Sequence, residues 1–262
     1  MRKPETSPPG DMTSKHRRIS EELLNKIEEG RWRPGDQLPS EELLAAEADA
    51  SLGTMRRALR TLVEMGVVER HHGRGTFVSG ARAQDRQLRH FRFMSKGGTQ
   101  LLPVYFNVED VTITDETGAW SDFLQDPTGN FVRIRRIASI NGEFDVFSEV
   151  YLPCHRFGDV SRMSRATLNG VSIRDMLAER FNAPTLDARQ TIICEALPPR
   201  VSRMIGTPAA QFGIVWTVAG TSYRGAPITW QRIFVPPSDR VIEIAPGHGP
   251  GSASSKERNM DA

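Results

Sequence analysis

Cysteine is nearly missing from this chain. Cys154 and Cys194 are the only two among 262 residues. That is too few for a disulfide framework and makes a reducing cytoplasm the expected setting. No apolar run is long enough to span a membrane, and the N-terminus lacks the apolar core of a signal peptide. No internal repeat is present. The net charge is only +2, which by itself gives no argument for nucleic acid. Cys154 and His155 form a bare pair without the spaced partners a metal site needs. No nucleophile–base pair and no phosphate loop stands out, so no catalytic residue, metal or cofactor is expected.

What is present is concentrated between Leu38 and Val78. Ser40 follows Pro39 and can cap a helix, with Glu41 and Glu42 at its positive end. Ser51 can cap a second helix. There Met55, Ala58, Leu59 and Leu62 fall at helical spacing and make one apolar face. Gly53, Arg56, Arg57 and Arg60 occupy the opposite face. Gly66 stops the helix. Val67–Arg70 and Thr76–Val78 read as short strands around the tip His71-His72-Gly73-Arg74-Gly75. Between Leu52 and Gly80, five arginines face only Glu64 and Glu69. This localised basic surface matters where the bulk charge does not. An arginine-bearing helix suits the major groove, and a basic hairpin suits the DNA backbone or minor groove. A solvated arginine face on a small helical cap is the plainer alternative. The ordered succession of helix, turn, helix and basic hairpin favours DNA.

Residues 1–13 are expected to be a disordered tail. Ile19, Leu23, Leu24 and Ile27 predict a helix ending near Gly30, which completes a DNA-binding domain over 14–78. Residues 79–93 read as an arginine-rich linker. Residues 94–245 show strand-like runs at about 103–113, 131–140, 145–152, 187–197, 212–223 and 227–235. Helix-like segments fall at about 115–125, 172–181 and 198–205. Asn141-Gly142 is a hairpin signal. Residues 246–262 read as a second disordered tail. The expected fold class is α+β, with a mixed α/β second domain built on a mainly antiparallel sheet.

Gly30, Pro34-Gly35, Leu38-Pro39-Ser40-Glu41, Thr54, Arg56, Ala58-Leu59, Leu62, Gly66 and Gly73-Arg74-Gly75-Thr76-Phe77-Val78 resemble the winged helix-turn-helix of the GntR family of bacterial transcription regulators. Arg136, Asn141-Gly142, Glu149–Pro153, Pro208 and Gly225–Ile228 resemble the effector domain of its HutC-type branch, called UTRA, whose fold is similar to chorismate lyase. The resemblance implies a cytoplasmic one-component regulator, most often a repressor. It implies a homodimer on a short pseudo-palindromic operator, modulated by a small effector. The expected DNA-binding residues are Ser40, Ser51, Gly53, Thr54, Arg56, Arg57, Arg60, His72, Gly73, Arg74, Gly75 and Thr76. Two positions depart from the family pattern: Glu42 and Leu52 stand where arginine is common. A non-standard operator is therefore expected, with Arg57 or Arg60 taking part of the phosphate role.

Strand parity places Arg136 on the face of Val132 and Ile134, and Arg232 on the face of Ile228, Trp230 and Phe234. A buried arginine needs an anionic partner. Glu149 could supply one in an internal ion pair with Arg136, or a small anionic ligand could. The expected effector residues are Arg136, Glu149, Tyr151, Ser172, Trp230 and Arg232, with Ser172 either a ligand donor or simply a helix cap. Arg133 and Arg135 are expected to be solvated. Ala138 replaces a second strand arginine of the family, which favours a smaller or more apolar acid over a sugar phosphate. Two other readings stand: a lyase-like enzyme, and a DNA-binding protein whose second domain only dimerises.

Overall fold

The computed structural model describes residues 12–79 and 91–244. They form two compact units that divide after Ser79. The expected tail at 246–262 and most of the expected linker, including Arg82, Arg86 and Arg89, lie outside the described residues.

The first unit contains helices α1 (Met12–Glu28), α2 (Glu41–Glu47) and α3 (Leu52–Glu64), then strands β1 (Val68–His71) and β2 (Gly75–Val78). Helix α1 begins inside the expected tail. Its Ile19, Leu23, Leu24 and Ile27 are buried with Leu44 of α2 and Met55, Ala58, Leu59 and Leu62 of α3. Fully burying a large aliphatic side chain contributes about 1.5–3 kcal/mol. The α3 stripe therefore fixes which way that helix faces. Ser40 and Ser51 cap as their sequence context predicts: Ser40 Oγ accepts from Leu43 N at 3.3 Å and Ser51 Oγ from Thr54 N at 3.2 Å. The β1–β2 hairpin is tied to the loop before α2. Leu38 N donates to Thr76 O and Val78 N to Asp36 O, both at 2.9 Å.

The second unit contains β3 (Phe93–Met94), β4 (Val104–Thr114), α4 (Ala119–Leu124), β5 (Phe131–Ile140), β6 (Phe144–Pro153), α5 (Cys154–Phe157), α6 (Arg165–Leu168), α7 (Ile173–Phe181), β7 (Asp187–Ala196), α8 (Pro199–Met204), β8 (Phe212–Thr221), β9 (Pro227–Val235) and β10 (Val241–Ile242). Six strands make one sheet in the order β4-β5-β6-β9-β8-β7. Every neighbouring pair in it is antiparallel. Phe91 and Phe93 are buried in this unit, although they fall at the end of the expected linker. On one sheet face Val132, Ile134 and Val150 pack with Ile173, Met176 and Leu177 of α7. On the other, Tyr151 and Trp230 pack with Leu124 of α4, and Phe147 and Phe234 with Val201 after the start of α8.

Asp126 pins the turn between α4 and β5 to the start of α5. Its carboxylate accepts from Thr128 N at 2.7 Å, from His155 N at 2.9 Å, and faces His155 Nδ1 at 2.9 Å. Burial works to raise the Asp126 pKa, but the hydrogen bonds from Thr128 and His155 outweigh it and hold the carboxyl at about 2. The folded value lies below the ordinary one, so its contribution is complete above about pH 5 and is lost as pH falls toward 2. Asp126→Asn is expected to destabilise this unit by about 2 kcal/mol at pH 7, and by about half as much at pH 3. Urea unfolding at the two pH values measures the difference.

Candidate DNA interface and effector site

Arg56, Arg57, Arg60 and Gly53 are exposed along α3, opposite its buried stripe. Arg56 is not free. Its Nε donates to Glu41 Oε2 at 2.7 Å, and Arg70 of β1 holds the other oxygen of the same carboxylate. Glu41 thus links the starts of α2, α3 and the wing, and it raises the Arg56 pKa. Glu42, whose own backbone amide and Ser40 lower its pKa, adds a weaker attraction to Arg56. Thr54 Oγ1 lies 2.8 Å from Ser51 Oγ, so these two hydroxyls hold each other at the helix start. Among the tip residues His72, Gly73, Arg74 and Gly75 are exposed, whereas Thr76 is buried. The Gly75 backbone is at φ +108, and a Cβ there would meet Gln37 Nε2 at 2.6 Å. That side chain donates to Arg74 O at 2.9 Å and props the wing tip. Thr76 therefore shapes the wing with its backbone, and its side chain is turned from the surface.

In the sheet, Arg136 is 4 % exposed. Its Nη1 donates to Val171 O at 3.3 Å, and its guanidinium carbon lies 4.6 Å from the Phe106 ring centroid. Arg136 Nε has no hydrogen-bond partner among the described residues. Burial alone lowers its pKa, to about 10. It stays charged at neutral pH. Ser148, directly opposite on β6, shares its face and is also buried with an unpartnered Oγ. Gln231 Nε2 on β9 lies on the same face by register and is likewise unpartnered. Ser172 caps α7 next to Val171, accepting from Asp175 N at 3.3 Å.

Residues 15–78 match the model of the bacterial regulatory proteins of the gntR family, and residues 121–240 match that of the UTRA domain. The chain belongs to the GntR family. Its UTRA domain follows the DNA-binding domain, as in the HutC-type branch. The chain is 39 % identical to a histidine utilization repressor of Klebsiella aerogenes over 69 residues, 26 % of this chain and 29 % of that one. It is 25 % identical to a probable fructoselysine utilization operon transcriptional repressor of Shigella flexneri over 178 residues, 66 % of this chain and 70 % of that one. The chain thus spans less than a third of the length of the histidine utilization repressor it matches. The ligand-binding domain of a putative GntR-family regulator from Bordetella bronchiseptica shares the fold of the second unit. The TM-score is 0.52 and the identity 14 %, covering 60 % of this chain and 96 % of that one. No helix among the described residues is long and apolar enough to cross a membrane.

Within the UTRA domain the six expected effector residues do not form one cluster. Arg136 and Ser172 lie on the α7 side of the sheet. Glu149 does not pair with Arg136: it stands opposite Arg135, with its side chain on the other face. There it is 7 % exposed, with Arg232 Nη2 at 3.6 Å and Arg200 Nη1 at 3.7 Å. Tyr151 and Trp230 share that second face, and Trp120 of α4 already covers Tyr151 in a stacked pair with centroids 4.2 Å apart. Burial first, and then Glu149, raise the Tyr151 pKa to about 12. Arg133 and Arg135 are not solvated; they pair with Glu116 and Asp110. The sequence reading missed Glu41 and Gln37 in the DNA-binding domain, and Ser148 and Gln231 in the UTRA domain. Glu41 lies in the Leu38–Glu41 motif, so the motif was legible and the bridging role was not. Ser148 could have been found only from the strand register.

Proposed function

We propose that this GntR-family protein is a one-component transcription repressor. It binds a short two-fold operator as a homodimer and is released by a small anionic metabolite held at Arg136. On the DNA side, α3 enters the major groove with Arg56, while Arg57, Arg60 and Arg74 meet phosphates. Ser40 and Ser51 expose helix N-termini that also suit phosphate. Leu52 and Glu42 make the operator non-standard.

One observation carries the effector reading: Arg136 is a buried cation without a carboxylate partner among the described residues. Removing such a charge from water costs several kcal/mol. A cation–π contact returns up to about 2 kcal/mol and one hydrogen bond to a charged group about 1.5–3. A bound carboxylate or comparable anion supplies the missing term. It would bridge Arg136 and the Ser172 end of α7, with Ser148 and Gln231 completing its hydrogen bonds. Val171 O already accepts from Arg136 Nη1, so an anion taken up by Arg136 competes with that bond and couples binding to the Val171–Ser172 segment. Effector and DNA then oppose each other by the same factor in both directions.

An operator would be selected from a random duplex library with the full-length protein. A panel of small mono- and dicarboxylates would then be screened by thermal shift. The expected result is a two-fold symmetric consensus, together with at least one acid that raises the melting temperature and weakens operator binding. Selection without a consensus would overturn the repressor reading.

A further inference from the structure

We infer that the sheet face opposite Arg136 carries a second anion site, where Arg232 of β9 and Arg200 of α8 bind a phosphate-class oxyanion beside Thr217. The site is separate from the effector reading above and does not depend on it.

Strand register places the residues. Directly opposed residues of an antiparallel sheet share a face. Asp110, Arg135, Glu149, Arg232, Thr217 and Thr191 are opposed in turn across β4, β5, β6, β9, β8 and β7. They make one polar row that crosses all six strands. Beside the Glu149–Arg232 pair the same face is apolar. Phe147 and Phe234 are opposed on one side of it, and Tyr151 and Trp230 on the other. Residues of α8 pack on the first pair and Leu124 of α4 on the second. Charges held between such walls are screened less than charges on an open surface.

The row starts with a closed ion pair and continues with an open one. Asp110 holds Arg135 through both carboxylate oxygens, with Arg135 Nε donating to Oδ1 at 2.8 Å. Glu149 instead stands between two guanidiniums. Arg232 Nη2 is 3.6 Å from its Oε2 and Arg200 Nη1 is 3.7 Å from its Oε1. Both distances are too long for a hydrogen bond. Arg232 Nε is buried and has no hydrogen-bond partner among the described residues. The Arg232 guanidinium carbon lies 5.0 Å from the Phe234 ring centroid and 5.8 Å from that of Trp230.

One carboxylate thus serves two cations, and the next position in the row offers the Thr217 hydroxyl rather than a second acid. The Arg200 side chain is 45 % exposed and that of Arg232 35 %, so a solute can reach both. Two guanidinium forks and a hydroxyl match the several oxygens of a phosphate, and arginine suits bidentate recognition of that group. The anion also supplies the negative charge that the second guanidinium lacks. Ser148 and Gln231, the chain neighbours of Glu149 and Arg232, point to the Arg136 face. The two sites therefore lie back to back on the same two strands.

The test is equilibrium dialysis of inorganic phosphate against the full chain at constant ionic strength. Saturable uptake is expected, and it should persist in Arg136→Met, which removes the cation of the opposite face, and in Arg74→Ala of the other unit. Arg200→Ala, at an exposed position where the core is untouched, is expected to weaken it by on the order of tenfold, the loss of one charge-assisted hydrogen bond. Arg232→Lys, which keeps the charge but not the fork, is expected to weaken it as well. Glu149→Gln is expected to strengthen it severalfold, because a competing carboxylate is gone. Sulfate should displace the bound phosphate and acetate should not. Glycerol 3-phosphate is titrated beside the free ion to separate an ester from inorganic phosphate as the source, and whichever binds more tightly must lose its affinity in Arg200→Ala. Uptake that Arg200→Ala and Arg232→Lys leave unchanged, or that vanishes in Arg136→Met, overturns the site. Displacement by acetate as effective as by sulfate overturns the phosphate class.

Discussion

Arg56→Ala is expected to abolish sequence-specific operator binding while leaving the fold intact. A bidentate arginine–base contact is worth about 1–3 kcal/mol of discrimination. Two half-sites double it, so the loss is on the order of a hundredfold or more in a gel shift against the selected operator. The structure explains why stability should survive. The Arg56 side chain is more than half exposed, and its partner Glu41 keeps Arg70. An exposed ion pair contributes at most about 1 kcal/mol. Glu41→Gln separates two roles for that carboxylate. If it aims Arg56 at the groove, operator affinity falls. If it only competes with DNA for the guanidinium, affinity rises. Normal operator binding by Arg56→Ala would remove α3 from the recognition role.

Arg136→Met is expected to act in opposite directions on stability and on response. Replacing a buried, incompletely partnered cation with an apolar side chain of similar length is commonly neutral or stabilising, by about 1–4 kcal/mol. The ligand-free variant should therefore be at least as resistant to urea as the parent. At the same time it should lose all thermal stabilisation by the releasing acid, and its operator complex should no longer dissociate when that acid is added. Arg232→Met serves as the contrast. It leaves Glu149 buried with only Arg200 at 3.7 Å, so it should lower stability and leave the acid response in place. A stable Arg136→Met protein that still answers the acid would move the effector site elsewhere in the domain.

Much of this protein is legible from local pattern. The buried stripe Met55, Ala58, Leu59, Leu62 and the two serine caps are short-range features, set by helical periodicity and hydrogen bonds within one turn. The six long strands appear where alternation and turn residues place them. The UTRA site residues were less legible, and the reason is one loop. A two-residue turn at Asn141-Gly142 would put Arg136 and Glu149 on the same face. The hairpin instead closes with Ile140 opposite Phe144, leaving Asn141, Gly142 and Glu143 in the loop. Glu143 N donates to Ile140 O at 2.8 Å, and its carboxylate reaches Arg240 Nε at 2.7 Å. One extra loop residue reverses the parity of the whole of β6 relative to β5. Glu149 is thereby sent to Arg232, and Ser148 is brought to Arg136.

The sequence by itself determined the two-domain order, the arginine face of α3, the basic wing and the strands of the second domain. Each depends on residues close together in the chain. Only the tertiary structure decided that Glu41 holds Arg56, that Thr76 turns inward, and that Arg136 is left without a carboxylate among the described residues. Those outcomes depend on register and on contacts between distant segments. A shift of one residue in a strand exchanges every partner while leaving the local pattern unchanged.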